Sequence, residues 1–202
     1  IFSFGCKRYC SEIIVGTKDK LGKKNIVGPV YLNINNHENI TKIKTGFYGL
    51  FFSIFHTCIC MAPWSVKRMG YLTKTGMGYG IDPSKLKSNR PFQVGWLNGG
   101  AVMCHVDDLI LEDYFPFEGK SYFEDTIHSI LWKKNKNSLF VIPKAICLQE
   151  KDNNLSLSID AYIDKFKVHK YVVKLLNGNL FMLYIWQIIF IIKLLFIRIT
   201  NV

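Results

Sequence analysis

Two adjacent carboxylates, Glu124 and Asp125, follow two aromatic residues, Tyr122 and Phe123. They open a run of helical spacing that closes on Lys133 and Lys134. A carboxylate at the edge of an apolar wall loses part of its hydration, which raises its pKa and makes it a better proton acceptor. Such a group can take the proton of a hydroxyl as that hydroxyl attacks an electrophilic carbon, an effect worth about 10²–10⁴-fold in rate. Upstream lies Trp96-Leu97-Asn98-Gly99-Gly100. Its glycines let a ligand approach backbone N–H groups closely, and its indole offers a flat face on which a ring can stack. Downstream, Leu139 to Pro143 is followed by a second apolar run, Ala145 to Leu148. The acidic pair also reads as a plain helix start, because carboxylates favour the positive end of the helix dipole. Both readings stand on the residues alone.

Other chemistry has weaker support. Cys6 and Cys10 are spaced C-x3-C, and Cys58 and Cys60 are spaced C-x-C. Neither makes a paired zinc pattern, even with His56 beside the second. The six cysteines read as reduced thiols in a chain long enough to fold without disulfides. Asp107-Asp108 stands at an apolar run, Val106 to Leu111, and reads as the start of a short helix. Gly76-Met77-Gly78-Tyr79-Gly80 lacks the Gly-Lys-Ser/Thr ending of a phosphate loop. It reads as a surface loop, or as a flexible loop over a substrate. No metal ligand is assigned.

The elements that must position these residues follow from periodicity. Short apolar runs predict strands at Ile13–Val15, Val27–Leu32, Val94–Trp96, Ala101–Cys104 and Leu139–Ile142. Pro29 marks the second as an edge strand or a bulge. Glu124–Lys134 is predicted as a helix, acid first and lysine last. Gly46–Trp64 is apolar for nearly the length of a membrane span and reads as buried or interfacial. Strands alternating with helical patterns predict an α/β domain with a mixed sheet and flanking helices. The expected division is a domain over 1–150, a basic amphipathic connector over 151–178 and a hydrophobic, membrane-associated helix over 179–202.

Composition is consistent with a real core: 49% apolar and 20% charged residues. The net charge of +11, with an isoelectric point near 9.4, favours an anionic partner. Phosphorylated sugars and anionic lipids fit that charge. Nucleic acid is disfavoured because no basic-aromatic recognition motif accompanies it. The tail Leu180–Ile199 is about 20 residues, or roughly 30 Å as a helix. It reads as spanning a bilayer or lying in its interface, with Tyr184 and Trp186 as anchors and Lys193 and Arg198 near one end. Its apolar residues cover nearly the whole circumference, which predicts a helix projecting from the domain. Residue 1 is Ile and no secretion signal follows, so the chain reads as a fragment or a processed product.

In order and spacing, Trp96–Gly100, Tyr122–Asp125 and Leu139–Leu148 resemble the acceptor-side half of a family 2 glycosyltransferase of the GT-A type. The resemblance covers roughly residues 27–149 and is strong over 93–145. It implies an incomplete GT-A-like mixed sheet, with Asp125 as general base and Glu124 as its neighbour and an acceptor ligand. It implies that Trp96, Asn98, Gly99 and Gly100 line the substrate pocket. The activity implied is inverting transfer from a nucleotide-sugar donor to a saccharide or lipid-linked acceptor, with a divalent metal, Mg or Mn, in the intact enzyme. The location implied is the cytoplasmic face of a membrane. The chain departs from the family pattern at Gln149, where a His is usual, and at Ile127, where a second acid is usual. No Asp-x-Asp precedes the acceptor region. The donor-binding part and most metal ligands are therefore expected to be missing. The alternative is a non-catalytic, membrane-associated relative.

Overall fold

The computed structural model describes residues 8–34, 47–64, 68–82, 84, 86, 88–118, 121–149 and 159–200. Among these residues it is an α/β structure with a three-stranded mixed sheet and five α-helices. The strands are β1 (Asn25–Asn33), β2 (Phe92–Val94) and β3 (Ser138–Gln149), in the order β1-β3-β2. β1 runs parallel to β3 and β2 antiparallel to it. β3 takes the centre because it is apolar on both faces: Leu139, Val141, Ile142, Ala145 and Cys147 are all buried.

Pro29 behaves as expected. The register slips immediately after it, so that Pro29 stands opposite Ile142 while Val30 stands opposite Ile146. Proline has no N–H for the ladder, so the ladder breaks there. Pro143, Lys144 and Ala145 are taken up as a bulge, and the two apolar runs of the sequence become one strand.

Two predicted strands are corrected, and a third, Val94–Trp96, moves to Phe92–Val94, with Trp96 outside the sheet. Ile13–Val15 lies within helix α1 (Arg8–Leu21). Cys10, Ile14 and Lys18, four residues apart, form its buried side. Gly22 ends it in the left-handed region (φ 75°), with its N–H on the Lys18 carbonyl at 3.0 Å. The helix period and its glycine stop outweigh a short β-branched run. Ala101–Cys104 is not a strand either. It touches the sheet at one antiparallel bridge, where Met103 and Val27 exchange N–H···O bonds of 2.9 and 3.0 Å.

The remaining helices are α2 (Phe47–Cys58), α3 (Glu124–Lys134), α4 (Ile159–Leu175) and α5 (Leu180–Thr200). α1 covers one sheet face, with Cys10 and Ile14 on Val27, Ile142 and Cys147. On the other face, Ile26, Val30, Val94 and Leu139 pack with Leu97 and with Trp132 of α3. α3 is thus a middle layer. Its Trp132 faces the sheet, and its Ile127 and Ile130 face Val168 and Val172 of α4. Within the expected connector, residues 159–175 therefore form a packed helix.

The tail forms the expected helix but does not simply project. Leu183 is fully buried and Gln187 nearly so, against α4. A different side, Phe181, Tyr184, Ile188 and Ile192, is exposed. An all-apolar circumference hides this distinction, because only packing selects the inner side. No helix among the described residues is long and apolar enough to cross a membrane.

Candidate functional site

α3 is preceded by Phe123, the residue at its N-cap, whose backbone is left-handed (φ 57°), a conformation uncommon for a bulky residue. Its ring stacks on His169 of α4 at 4.7 Å, which fixes the entry angle of the helix. Glu124 is then exposed and Asp125 half-buried.

Asp125 and Ser129, one turn apart on one side of α3, hold the Trp96–Gly100 turn. Ser129 Oγ accepts the Leu97 N–H at 3.0 Å. The Asp125 carboxylate accepts the backbone N–H of Thr126 at 2.8 Å, and the backbone N–H of Gly99 adds a further, weaker attraction. Burial pushes the Asp125 pKa up, opposed by these N–H groups. The two glycines pack tightly here. A Cβ on Gly99 would sit 3.1 Å from Asp125 Cβ, and one on Gly100 would sit 3.0 Å from the Tyr31 hydroxyl. The Gly-Gly backbone is therefore an exposed floor between Asp125 and Tyr31.

Trp96 and Asn98 line a crevice of about 50 Å³ together with Tyr31, Tyr79 and Ile81. That is smaller than the roughly 150 Å³ cavity that takes a benzene. A sugar ring would have to lie across the glycine floor and could not sink into the crevice. The indole N–H of Trp96 is held by the Tyr79 carbonyl at 3.0 Å. Its ring lies on Gly78, where a Cβ would come within 2.6 Å.

The Gly76–Gly80 segment is accordingly a packed hairpin, correcting the surface-loop reading. Leu72 bridges Gly78, and Thr73, Thr75 and Gly76 are buried. Gly76 (φ 75°) abuts His169 and Val172.

The structure thus brings together Trp96, Asn98, Gly99, Gly100 and Asp125, while the Glu124 side chain is exposed and meets Tyr114. Sequence reasoning missed Tyr31, Tyr79, Ser129 and Tyr114. The Tyr114 hydroxyl donates to Glu124 Oε1 at 3.3 Å and lies 3.3 Å from His128 Nδ1. Only Ser129 had a readable signal, its spacing of four from Asp125.

The divalent metal implied by the resemblance does not fit these residues. Among the described residues no group of three His, Cys, Asp or Glu side chains is placed to hold an ion. His56 bonds instead to the Tyr79 hydroxyl, and burial lowers its pKa to about 4. Burial raises the Cys60 thiol to about 11. Asp108 is buried on Lys24 at 2.8 Å, and this hydrogen bond holds its pKa down. It is an ion-pair anchor in a single 3-10 turn, Val106–Asp108, and the longer helix expected there does not form. No family model, no curated protein and no solved structure matches the chain.

Proposed function

We propose that the floor formed by Gly99 and Gly100, with Trp96, Asn98, Glu124 and Asp125, is the acceptor side of an inverting glycosyltransferase site. The supporting observation is the contact between Gly99 and Asp125. It puts a half-buried carboxylate of raised pKa at the edge of an exposed backbone surface. Asp125 takes the proton of an acceptor hydroxyl. The hydroxyl oxygen bonds to the anomeric carbon, and the bond from that carbon to the nucleoside diphosphate breaks on the opposite face. A carboxylate has about four acceptor positions, so the Thr126 bond leaves room for the acceptor. The donor is a nucleotide sugar, and the acceptor is a saccharide or a lipid-linked sugar. No step is routed through a metal. The exposed apolar side of α5 and the lysines of α4 are proposed to rest on the cytoplasmic face of a membrane.

A second reading is favoured by the hydrogen bonds themselves. Asp125 and Ser129 both hold the turn, as they would in a non-catalytic, membrane-associated protein. Nucleoside diphosphate release from a panel of nucleotide sugars, measured with the parent protein and with Asp125→Asn, separates the two. Turnover lost in Asp125→Asn with the fold retained supports transfer. Unchanged turnover in that variant, or none in the parent, leaves the clamp alone.

A further inference from the structure

A cavity of about 200 Å³ lies behind the N-cap of α3 and is unexplained by the candidate site. Its walls are Phe123, Tyr162 and Phe166 of α4, and Trp186 and Phe190 of α5, with Met77 of the glycine hairpin closing it. These side chains are only half-buried, so apolar surface is left uncovered and a ligand can enter. An apolar cavity of about 150 Å³ already accommodates a benzene-sized ligand, so this one has room for a fused two-ring molecule.

The rings are ordered. Trp186 and Phe190 lie within 9° of parallel with centroids 5.3 Å apart, and Tyr162 and Phe190 within 7° at 6.2 Å. The His169 ring stands at 74° to Trp186, 5.9 Å away. Aligned rings with another set steeply against them give a flat guest both stacked and edge-to-face contacts.

The polar groups of the cavity are already engaged. His169 Nε2 donates to the Thr75 carbonyl at 2.7 Å, which makes Nδ1 the acceptor. Gln187 donates to that Nδ1 at 3.4 Å and accepts from the Tyr162 hydroxyl at 2.5 Å. The chain Tyr162–Gln187–His169–Thr75 therefore satisfies itself. Burial keeps His169 neutral, its pKa lowered to about 4. Lys165 borders the cavity with its Nζ 6.0 Å from the Phe123 ring centroid. Among the described residues no carboxylate lines it. A polyol would give up its hydration here with little hydrogen bonding in return.

We propose that this cavity binds a neutral, fused-ring aromatic molecule, seated against Trp186, Phe190 and Phe123. The binding is independent of the transfer reading.

Calorimetric titration of the full chain with indole, indole-3-acetate and tryptamine tests the site with one ring system in neutral, anionic and cationic form. One indole should bind per chain, and each charged analogue roughly tenfold more weakly, because a charge brought to apolar walls loses hydration. Phe190→Leu keeps an apolar side chain but removes a ring face, and should weaken indole about two- to tenfold. Met77→Trp, which fills the cavity, should abolish binding. Should Met77→Trp not fold, Phe190→Leu and the three-ligand series decide. Absence of indole binding overturns the proposal, as does equal or tighter binding of either charged analogue. Unchanged indole binding in Phe190→Leu, or in a folded Met77→Trp, also overturns it. Asp125→Asn should bind indole as the parent does, so a failure of transfer and a failure of binding are read separately.

Discussion

Ser129 Oγ and the Leu97 N–H are joined at 3.0 Å across 32 residues of chain, and this bond ties the Trp96–Gly100 turn to α3. One turn earlier on the helix, Asp125 lies against Gly99, two residues on from Leu97, where a Cβ would stand 3.1 Å from the Asp125 Cβ. The two side chains hold one loop, but their removal should have different consequences.

Ser129→Ala leaves the buried Leu97 N–H without its acceptor, which costs about 1–3 kcal/mol. Asp125→Asn keeps an acceptor oxygen for Thr126 and Gly99 but is a far weaker base. It should leave the urea midpoint nearly unchanged while lowering turnover roughly 10²-fold or more. Equal stability losses in both variants, with turnover intact, would make Asp125 a clamp and nothing else.

Glycines in the same chain should respond oppositely to alanine. Gly16 lies exposed within α1 and has open space around its missing Cβ. Gly16→Ala should stabilise by roughly 0.5–1 kcal/mol. Gly78 lies under Trp96, with 2.6 Å available. Gly78→Ala should destabilise by about 1–3 kcal/mol, as overpacking does, and should change the Trp96 environment. Thermal melts with near-ultraviolet circular dichroism read both.

Stability should fall as pH drops from about 6.5 to about 4. His169 and His56 have folded pKa values near 4 against 6.5 unfolded. In that window the unfolded chain binds the protons, so acid favours unfolding. The contribution is fully present above 6.5 and lost through 4. Asp125, raised in the fold, acts in the opposite sense nearer its own pKa. His169→Gln should flatten the slope of urea midpoint against pH. An unchanged slope would mean that His169 titrates normally.

Membrane attachment should depend on the outer side of α5. Ile188 and Ile192, one turn apart, are 57% and 59% exposed. Glutamates at both positions should abolish cosedimentation with anionic vesicles and leave the melting temperature within a few degrees. Deleting 180–202 is the poorer test, because it also removes Leu183 and Gln187 from the packed interior. Undiminished cosedimentation of the double variant would exclude this side as the contact.

Much of the local structure was legible in the residues. Glu124–Lys134 forms over the predicted bounds, because its acids and lysines are ordered to suit the helix dipole. β1 and β3 were legible as apolar runs, and Pro29 as a break, because a missing N–H has the same effect in any fold. Ile13–Val15 misled because three β-branched or apolar residues suit either period. The neighbours four apart that settle it, Cys10 and Lys18, lie outside that run.

What the sequence by itself determined was the chemistry available: an acidic pair behind an aromatic wall, a Gly-Gly turn, and a basic chain with an apolar tail. It also determined which of these sit on a helix and which in a turn. Only the tertiary structure decided that Gly99 touches Asp125, that Gly78 underlies Trp96, and that Gln187 reaches His169. It alone chose which side of α5 is inside. Periodicity reports one element's own geometry, set by neighbouring residues. Contacts between residues tens of positions apart depend on how α3 is wedged between the sheet and α4, which local spacing does not encode.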